Sequence, residues 1–348
     1  MALPASPIKI LALTQKGAAL ARRLCRDLPG SLPCLPAAQA GEPRDQAFPR
    51  LAEAFREAFE KGENLVCIMA AGIVVRSIAP YLKAKDADPA VVVVDEAGRF
   101  AVSLLSGHLG GANDLARRVA KVLGGTPVIT TATDVHGLPA LDVLAVEHGL
   151  VIENLAGVRP IHMAFLEGRP VRVVDPDGFL NGVVSTHPEL FAPETNLDRA
   201  LTGSGPGVYV GFRERSWPPD WLRLRPKNLV AGMGCHKGTP GEELVDFIKR
   251  TFQQAGLSLL SLKALATIEA KKEEPGLRLA ARSLGVEFLW FTATELEDIP
   301  VPNPSPAVAR HLQVASVSEA AALKAGGVEL ILPKCKAPNA TLAVARVA

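Results

Sequence analysis

The chain has 348 residues, with 38 Lys+Arg against 36 Asp+Glu, a net charge of +2 and 48% hydrophobic residues. That is an ordinary globular balance, with length for roughly two or three domains of about 100–200 residues each. Near-neutral charge, 5% aromatics and the lack of a basic block give nucleic-acid binding no support; no apolar run reaches about 18 residues, so no membrane span is predicted.

Ile8-Lys9-Ile10-Leu11-Ala12-Leu13 reads as a first strand, followed by Gly17 and a helix over 18–28. The Pro, Gly and Ala of 29–47 read as a loop. A helix over 48–61 puts Leu51, Phe55 and Phe59 on one face, and Leu65-Val66-Cys67-Ile68-Met69-Ala70 is a buried strand ending at Ala71-Gly72 before a helix over 73–82. Val91-Val92-Val93-Val94 and Phe100-Ala101-Val102-Ser103-Leu104-Leu105 are further strands. Ala112, Leu115, Ala116, Val119, Ala120 and Leu123 then recur at helical spacing, and 126–131 closes the unit as a strand. Alternating strand and helix predicts an α/β domain over 1–135 with a mainly parallel sheet.

Residues 136–225 differ in texture. Stretches 138–149 and 155–168 read as helices, 171–174 and 207–210 as strands, and 180–206 has weak periodicity. Trp217-Pro218-Pro219-Asp220-Trp221 and the basic residues after it read as a linker. This is a small α+β middle domain. A second α/β domain spans 226–348, opening with Asn228-Leu229-Val230-Ala231-Gly232-Met233-Gly234-Cys235. Thr239-Pro240-Gly241-Glu242 reads as a capping box starting a helix, and Ser316-Val317-Ser318-Glu319 caps another. The fold class predicted is α/β, two domains with mainly parallel sheets flanking the small middle domain.

Five scattered cysteines, Cys25, Cys34, Cys67, Cys235 and Cys335, lack C-x-x-C pairing, which argues against a disulfide framework and a zinc site. No metal ligand set is predicted. With no signal-peptide pattern at the N-terminus, a cytoplasmic location is expected.

Three glycine-bearing strand-to-helix turns stand out: Ala71-Gly72, 106–113 and 232–239. Ligands of open α/β sheets gather outside the carboxyl ends of the strands, and glycine lets the backbone come close to them. Each also reads simply as a tight turn. Ser106, Gly107, His108, Gly110, Gly111 and Asn113 combine glycines, an imidazole and helix-start N–H groups, a setting that favours an anion or oxyanion. His108 is a candidate general base. Cys235 precedes a helix start and neighbours Lys237, both of which lower a thiol pKa. No G-x-x-x-x-G-K-[ST], G-x-G-x-x-G or G-x-S-x-G motif is present, which disfavours nucleotide binding and an α/β-hydrolase. Arg76, Lys237, Lys271 and Lys334 are candidate partners of acidic ligand groups.

Gly72-Ile-Val-Val-Arg76, Asp95-Glu96, Ser-Gly-His108-Leu-Gly-Gly-Ala-Asn113 and Thr-Thr-Ala-Thr-Asp134 resemble the N-terminal part of the CbiG family. Gly232-Met-Gly-Cys235, Ala-Thr-Ile-Glu269-Ala-Lys271, Asn303-Pro-Ser305, Ser316-Val-Ser-Glu and Asn339-Ala-Thr-Leu-Ala-Val-Ala-Arg346 resemble its C-terminal part, shared with CobE proteins. The resemblance implies hydrolysis of the δ-lactone of cobalt-precorrin-5A in anaerobic cobalamin biosynthesis, releasing acetaldehyde and giving cobalt-precorrin-5B. Cobalt then arrives with the substrate and no further cofactor is implied. Neighbouring enzymes of the pathway are the macromolecular partners it suggests. His108 or Glu269 is then the water-activating base. Gly72, Arg76, Ser106, Gly107, Gly110, Gly111, Asn113, Gly232, Gly234, Cys235, Lys237, Thr239, Lys271, Asn303, Ser305 and Lys334 are the expected substrate contacts. The alternative is a non-catalytic corrinoid carrier using the same turns.

Overall fold

In the computed structural model, residues 7–84, 87–304 and 314–347 are described. The chain divides into two compact units, Met1–Glu147 and His148–Ala348.

The first unit is built on strands β1 (Ile8–Ala12), β2 (Ser31–Pro36), β3 (Gln46–Phe48), β4 (Asn64–Ile68), β5 (Val91–Val94), β6 (Phe100–Leu105) and β7 (Thr126–Val128), in the order β3-β2-β1-β4-β5-β6-β7. Neighbours pair parallel except β5 with β6, a short antiparallel hairpin. Because side chains alternate across a strand, Ile10, Val66, Val92 and Val94 pack on one face against α1 (Gln15–Asp27) and α4 (Ala112–Leu123). Leu11, Leu65, Cys67, Val91 and Val93 point to the other face, onto α2 (Leu51–Lys61) and α3 (Ala71–Ile78), where Phe55, Ala58 and Val74 wait. Two short helices follow β7, α5 (Ala132–Val135) and α6 (Leu141–Glu147). The loop expected over 29–47 is instead β2 and β3. Pro33 and Pro36 hide the strand pattern in sequence, yet β2 lies inside the sheet, with Cys34 and Leu35 buried. Phe48, expected in a helix, ends β3 and is buried.

In the second unit, β8 (Leu150–Ile152), β9 (Val171–Val174), β10 (Phe191–Pro193), β11 (Gly207–Val210) and β12 (Trp221–Pro226) form a sheet in the order β10-β9-β11-β12-β8. It carries helices α7 (Val158–Leu166), α8 (Asn181–Thr186) and α9 (Leu197–Thr202). The expected linker at 217–225 is corrected: it enters β12, and Trp221 and Arg225 are fully buried. Two side chains explain this. The Trp217 ring lies 4.5 Å from that of Tyr209, and Arg225 bonds Glu153, Glu214 and the carbonyls of Gly211 and Arg213.

The remaining sheet has the order β15-β14-β13-β17-β16, from β13 (Leu229–Cys235), β14 (Leu262–Ile268), β15 (Glu287–Phe291), β16 (Gly327–Lys336) and β17 (Ala340–Val347). Strands β13, β14 and β15 run parallel, while β17 is antiparallel to both β13 and β16. Helices α10 (Gly241–Gln254) and α11 (Pro275–Leu284) cover one face. Helices α12 (Ala293–Glu297) and α13 (Val317–Lys324) cover the other. Neither expected cap forms: α10 starts after Pro240 without a side-chain cap, and the Ser316 hydroxyl does not cap α13. Thr239 turns its hydroxyl to the carbonyl of His236 instead, at 2.9 Å.

Candidate functional site

Strand topology decides which turns become neighbours. β6 and β7 run parallel, so the turn after β6, residues 106–113, sits beside the turn after β7 that carries Thr131, Thr133 and Asp134. The imidazole of His108 is buried between elements: Nε2 lies 2.9 Å from the Thr133 hydroxyl and 3.3 Å from Asp134, and Nδ1 lies 3.7 Å from Asp142 on α6. Asn113 links the two turns. It accepts from Ser103 at 2.7 Å and donates to Thr131 at 3.1 Å and Asp134 at 2.9 Å. Arg117, one turn further along α4, donates to the other oxygen of Asp134.

The turn itself is tightly wound. Ser106 has φ 58°, left-handed, the one such non-glycine residue among those described, and its hydroxyl donates to the Asp88 carbonyl at 2.8 Å. Gly110 is pressed against it: an added Cβ would come 2.3 Å from Ser106 Cβ. Main-chain N–H groups of Gly111, Ala112 and Asn113 donate to the carbonyls of His108, Ser106 and Gly107 at 2.8, 3.0 and 3.0 Å. The expectation that these amides receive an oxyanion is therefore corrected, because the turn uses them on itself. Gly72 and Arg76 lie exposed on α3, after β4. Where β1 and β4 diverge, a cavity of about 570 Å3 opens among Thr14, Met69, Ile73, Glu96 and Phe100. It is the crevice at which the crossovers of an open sheet reverse direction.

In the second unit, parallel pairing sets the ends of β13 and β14 side by side, and the antiparallel strands bring the start of β17 and the end of β16 to the same place. Gly234 faces Thr341, Cys235 faces Ala340, and Lys336 faces Thr341 from the other side. Between them is a cavity of about 210 Å3 lined by Gly234, Cys235, Lys271 and Lys334 of the expected residues. His236, Ser316, Lys336 and Thr341 line it too. Glu274, on the residue before α11, holds the wall: one oxygen accepts the Gly238 N–H at 2.6 Å and the other faces Lys271 Nζ at 3.3 Å. The Gly238 N–H first, then Lys271 and the charge of Lys237, hold its carboxyl below the usual range. Glu319, fully buried on α13, accepts from the Asn303 main chain at 3.1 Å, its side chain at 2.8 Å and the Lys334 N–H at 3.0 Å. The Lys334 ammonium donates to the Asn303 carbonyl.

Several expectations shift here. Burial pushes the Cys235 thiol up, and Lys271 offsets this only in part; this favours a small buried side chain, the alternative reading to a thiol lowered by its neighbours. Gly232 lacks a side chain for packing rather than for a ligand, since a Cβ there would come 1.9 Å from the Ser318 carbonyl of α13. The N–H groups of His236, Gly238 and Thr239 already donate to Asn339, Glu274 and His236, so this turn does not offer them to an oxyanion either. Thr239 is buried under Asn339, and Lys237 is exposed. Glu269 is half exposed and pairs with Lys272 at 3.0 Å. Ser305 lies outside the described residues. Asp142, Glu274, Ser316 and Glu319 are not among the expected site residues; Ser316 and Glu319 read only as a helix cap, and Asp142 and Glu319 meet His108 and the Asn303 and Lys334 segments only in the folded chain. Asp134 had a usable signal, as it ends the turn beside the one carrying His108.

The sequence matches the family description "Cobalamin synthesis G N-terminal" over residues 53–134, "Cobalamin biosynthesis central region" over 139–226 and "Cobalamin synthesis G C-terminus" over 229–345. It is 34% identical to "Cobalt-precorrin-5A hydrolase" of Priestia megaterium, covering 97% of this chain and 94% of that protein. The chain belongs to the CbiG family. A second member, "Cobalt-precorrin-5A hydrolase" of Salmonella typhimurium strain LT2, is 37% identical over 90% of each chain. "Protein CobE" of Sinorhizobium sp is 35% identical over 34% of this chain and 79% of its own length. The His108 turn lies within the CbiG N-terminal match and the lysine-lined cavity within the C-terminal one.

Proposed function

We propose that this protein is a cobalt-precorrin-5A hydrolase, opening the δ-lactone of its substrate and releasing acetaldehyde to leave cobalt-precorrin-5B. The observation that carries this is 34–37% identity, over 90% or more of the chain, to two proteins of that name.

The reaction needs a water activated to attack the lactone carbonyl, donors for the oxyanion that forms, and collapse of the freed alkoxide to the aldehyde with C–C cleavage. The electron pair of that bond passes to the conjugated macrocycle. His108 is the base we favour. It is buried and held at both ring nitrogens' sides by Thr133, Asp134 and Asp142, an arrangement that fixes an imidazole for proton transfer. Glu269 is the second candidate, placed at the end of β14 but already paired with Lys272. With the N–H groups of Gly111, Ala112, Asn113, His236, Gly238 and Thr239 bonded within the protein, we assign substrate carboxylates to side-chain donors, Arg76 in the first unit and Lys237, Lys271 and Lys334 in the second. We propose Gly72, Gly107, Gly110 and Gly111 as substrate contacts of the first unit, with Ser106 and Asn113 holding the turn, and Gly234, Cys235 and Asn303 as substrate contacts of the second. No cofactor of the protein's own is called for, because cobalt comes with the substrate. We place the enzyme in the cytoplasm, with neighbouring enzymes of the pathway as its partners. No helix among the described residues is long and apolar enough to cross a membrane.

The test is acetaldehyde release from cobalt-precorrin-5A under anaerobic conditions. Turnover supports the hydrolase; binding of the substrate with a spectral change and no acetaldehyde points to a carrier instead.

A further inference from the structure

The cavity at the ends of β13, β14, β16 and β17 has three features that the sequence alone does not bring together. Its walls present three ammonium-bearing side chains, Lys271, Lys334 and Lys336. No carboxylate is among the described residues that line the cavity. Glu274, Glu319 and Glu243 bond to its wall without lining it, through Gly238 and Lys271, the Lys334 N–H and the Asn339 side chain. The lining itself therefore carries positive charge alone. Ser316 also lines the cavity. It is 1% exposed, occupies the N-cap position of α13 without capping it, and its hydroxyl has no hydrogen-bond partner among the described residues. A buried hydroxyl without a partner costs about 1–3 kcal/mol, so its retention beside a cationic cavity points to a ligand that accepts a hydrogen bond. The volume, about 210 Å3, is below the roughly 300–1,000 Å3 of sites that enclose a drug-sized molecule. It suits an acetate or propionate arm and not a macrocycle.

We propose that this cavity is a subsite for a single carboxylate-bearing arm of a tetrapyrrole-class ligand. The arm's carboxylate lies among Lys271, Lys334 and Lys336 and accepts from Ser316, with the ring outside the cavity mouth. Glu274 is a positioning residue that keeps Lys271 turned inward. The identity of the ligand class rests on the hydrolase reading; the binding chemistry rests on the cavity.

The test separates the two. Full-length protein is titrated with uroporphyrin III, an acidic tetrapyrrole that it does not hydrolyse, with porphyrin fluorescence as the signal, alongside Lys336→Met, Lys336→Arg and Ser316→Ala. Lys336 is exposed on a strand end, so its replacement leaves the core intact. Removing one charge-assisted contact is expected to weaken binding by about tenfold or more in Lys336→Met, with recovery in Lys336→Arg and a smaller loss in Ser316→Ala. The wild-type affinity is expected to fall as salt is raised. Equal affinity in wild type, Lys336→Met and Ser316→Ala overturns the subsite. Loss of affinity in these variants of a protein that releases no acetaldehyde leaves the subsite standing and removes the hydrolase reading.

Discussion

His108 meets Thr133, Asp134 and Asp142 within 3.7 Å, and its neighbours are reached through two different helices. If it is the base, His108→Asn is expected to slow acetaldehyde release by about 10²–10⁴-fold, the usual worth of a positioned general base. Glu269→Gln, removing a half-exposed group paired with Lys272, is expected to cost far less. The reverse order of effects, measured as kcat, transfers the role to Glu269. At Glu274 the prediction concerns pH. Its folded carboxyl is held below the ordinary value of 4.5, so the unfolded chain binds more protons than the folded one on the acid side. The stabilisation is complete above about pH 4.5 and is lost as pH falls through the lower folded value. Urea midpoints recorded from pH 3 to 7 are expected to fall less steeply on the acid side in Glu274→Gln than in wild type. These residues show the limit of the sequence. A glycine-rich turn with a histidine is visible in it, but the carboxylates that grip the histidine are 26 and 34 positions away, and only strand order brings them in.

At the scale of elements, hydrophobic periodicity was a sound guide wherever a segment is buried on both faces or carries a clear stripe. β1, β4, β5, β6 and α4 stand close to where the pattern puts them. It failed where the burial partner is distant or the pattern is broken. β2 contains Pro33 and Pro36, and β12 reads as a polar linker because Arg223 and Arg225 occupy it; both find Glu153. Arg225→Met is expected to destabilise the second unit by about 1–3 kcal/mol, the cost of leaving the Gly211 and Arg213 carbonyls without their donor, read from chemical denaturation with tryptophan fluorescence. The contact of α13 with β13 gives a sharper case. Gly232→Ala places a methyl 1.9 Å from the Ser318 carbonyl, so the helix must shift. A loss of about 1–3 kcal/mol or more is expected; an unchanged melting temperature would show that α13 yields at no cost.

Taken whole, the molecule has separate cores: the N-terminal sheet buries its own two layers, and the second unit buries its own. Units with independent cores need not unfold together. Scanning calorimetry is expected to give a calorimetric enthalpy exceeding the van't Hoff value, whereas a ratio of one would mean a single cooperative block. The turn 106–113 has a consequence at this scale too. Three successive amides close onto carbonyls of their own loop, and Asn113 bolts that loop to the next. Such a knot resists local opening. The amides of Gly111, Ala112 and Asn113 should therefore be among the slowest to exchange with deuterated solvent outside the sheet, with or without ligand. If His108 is the base, the imidazole is preorganised by this knot: the entropic cost of holding it is met during folding, and little of the barrier is left to loop closure.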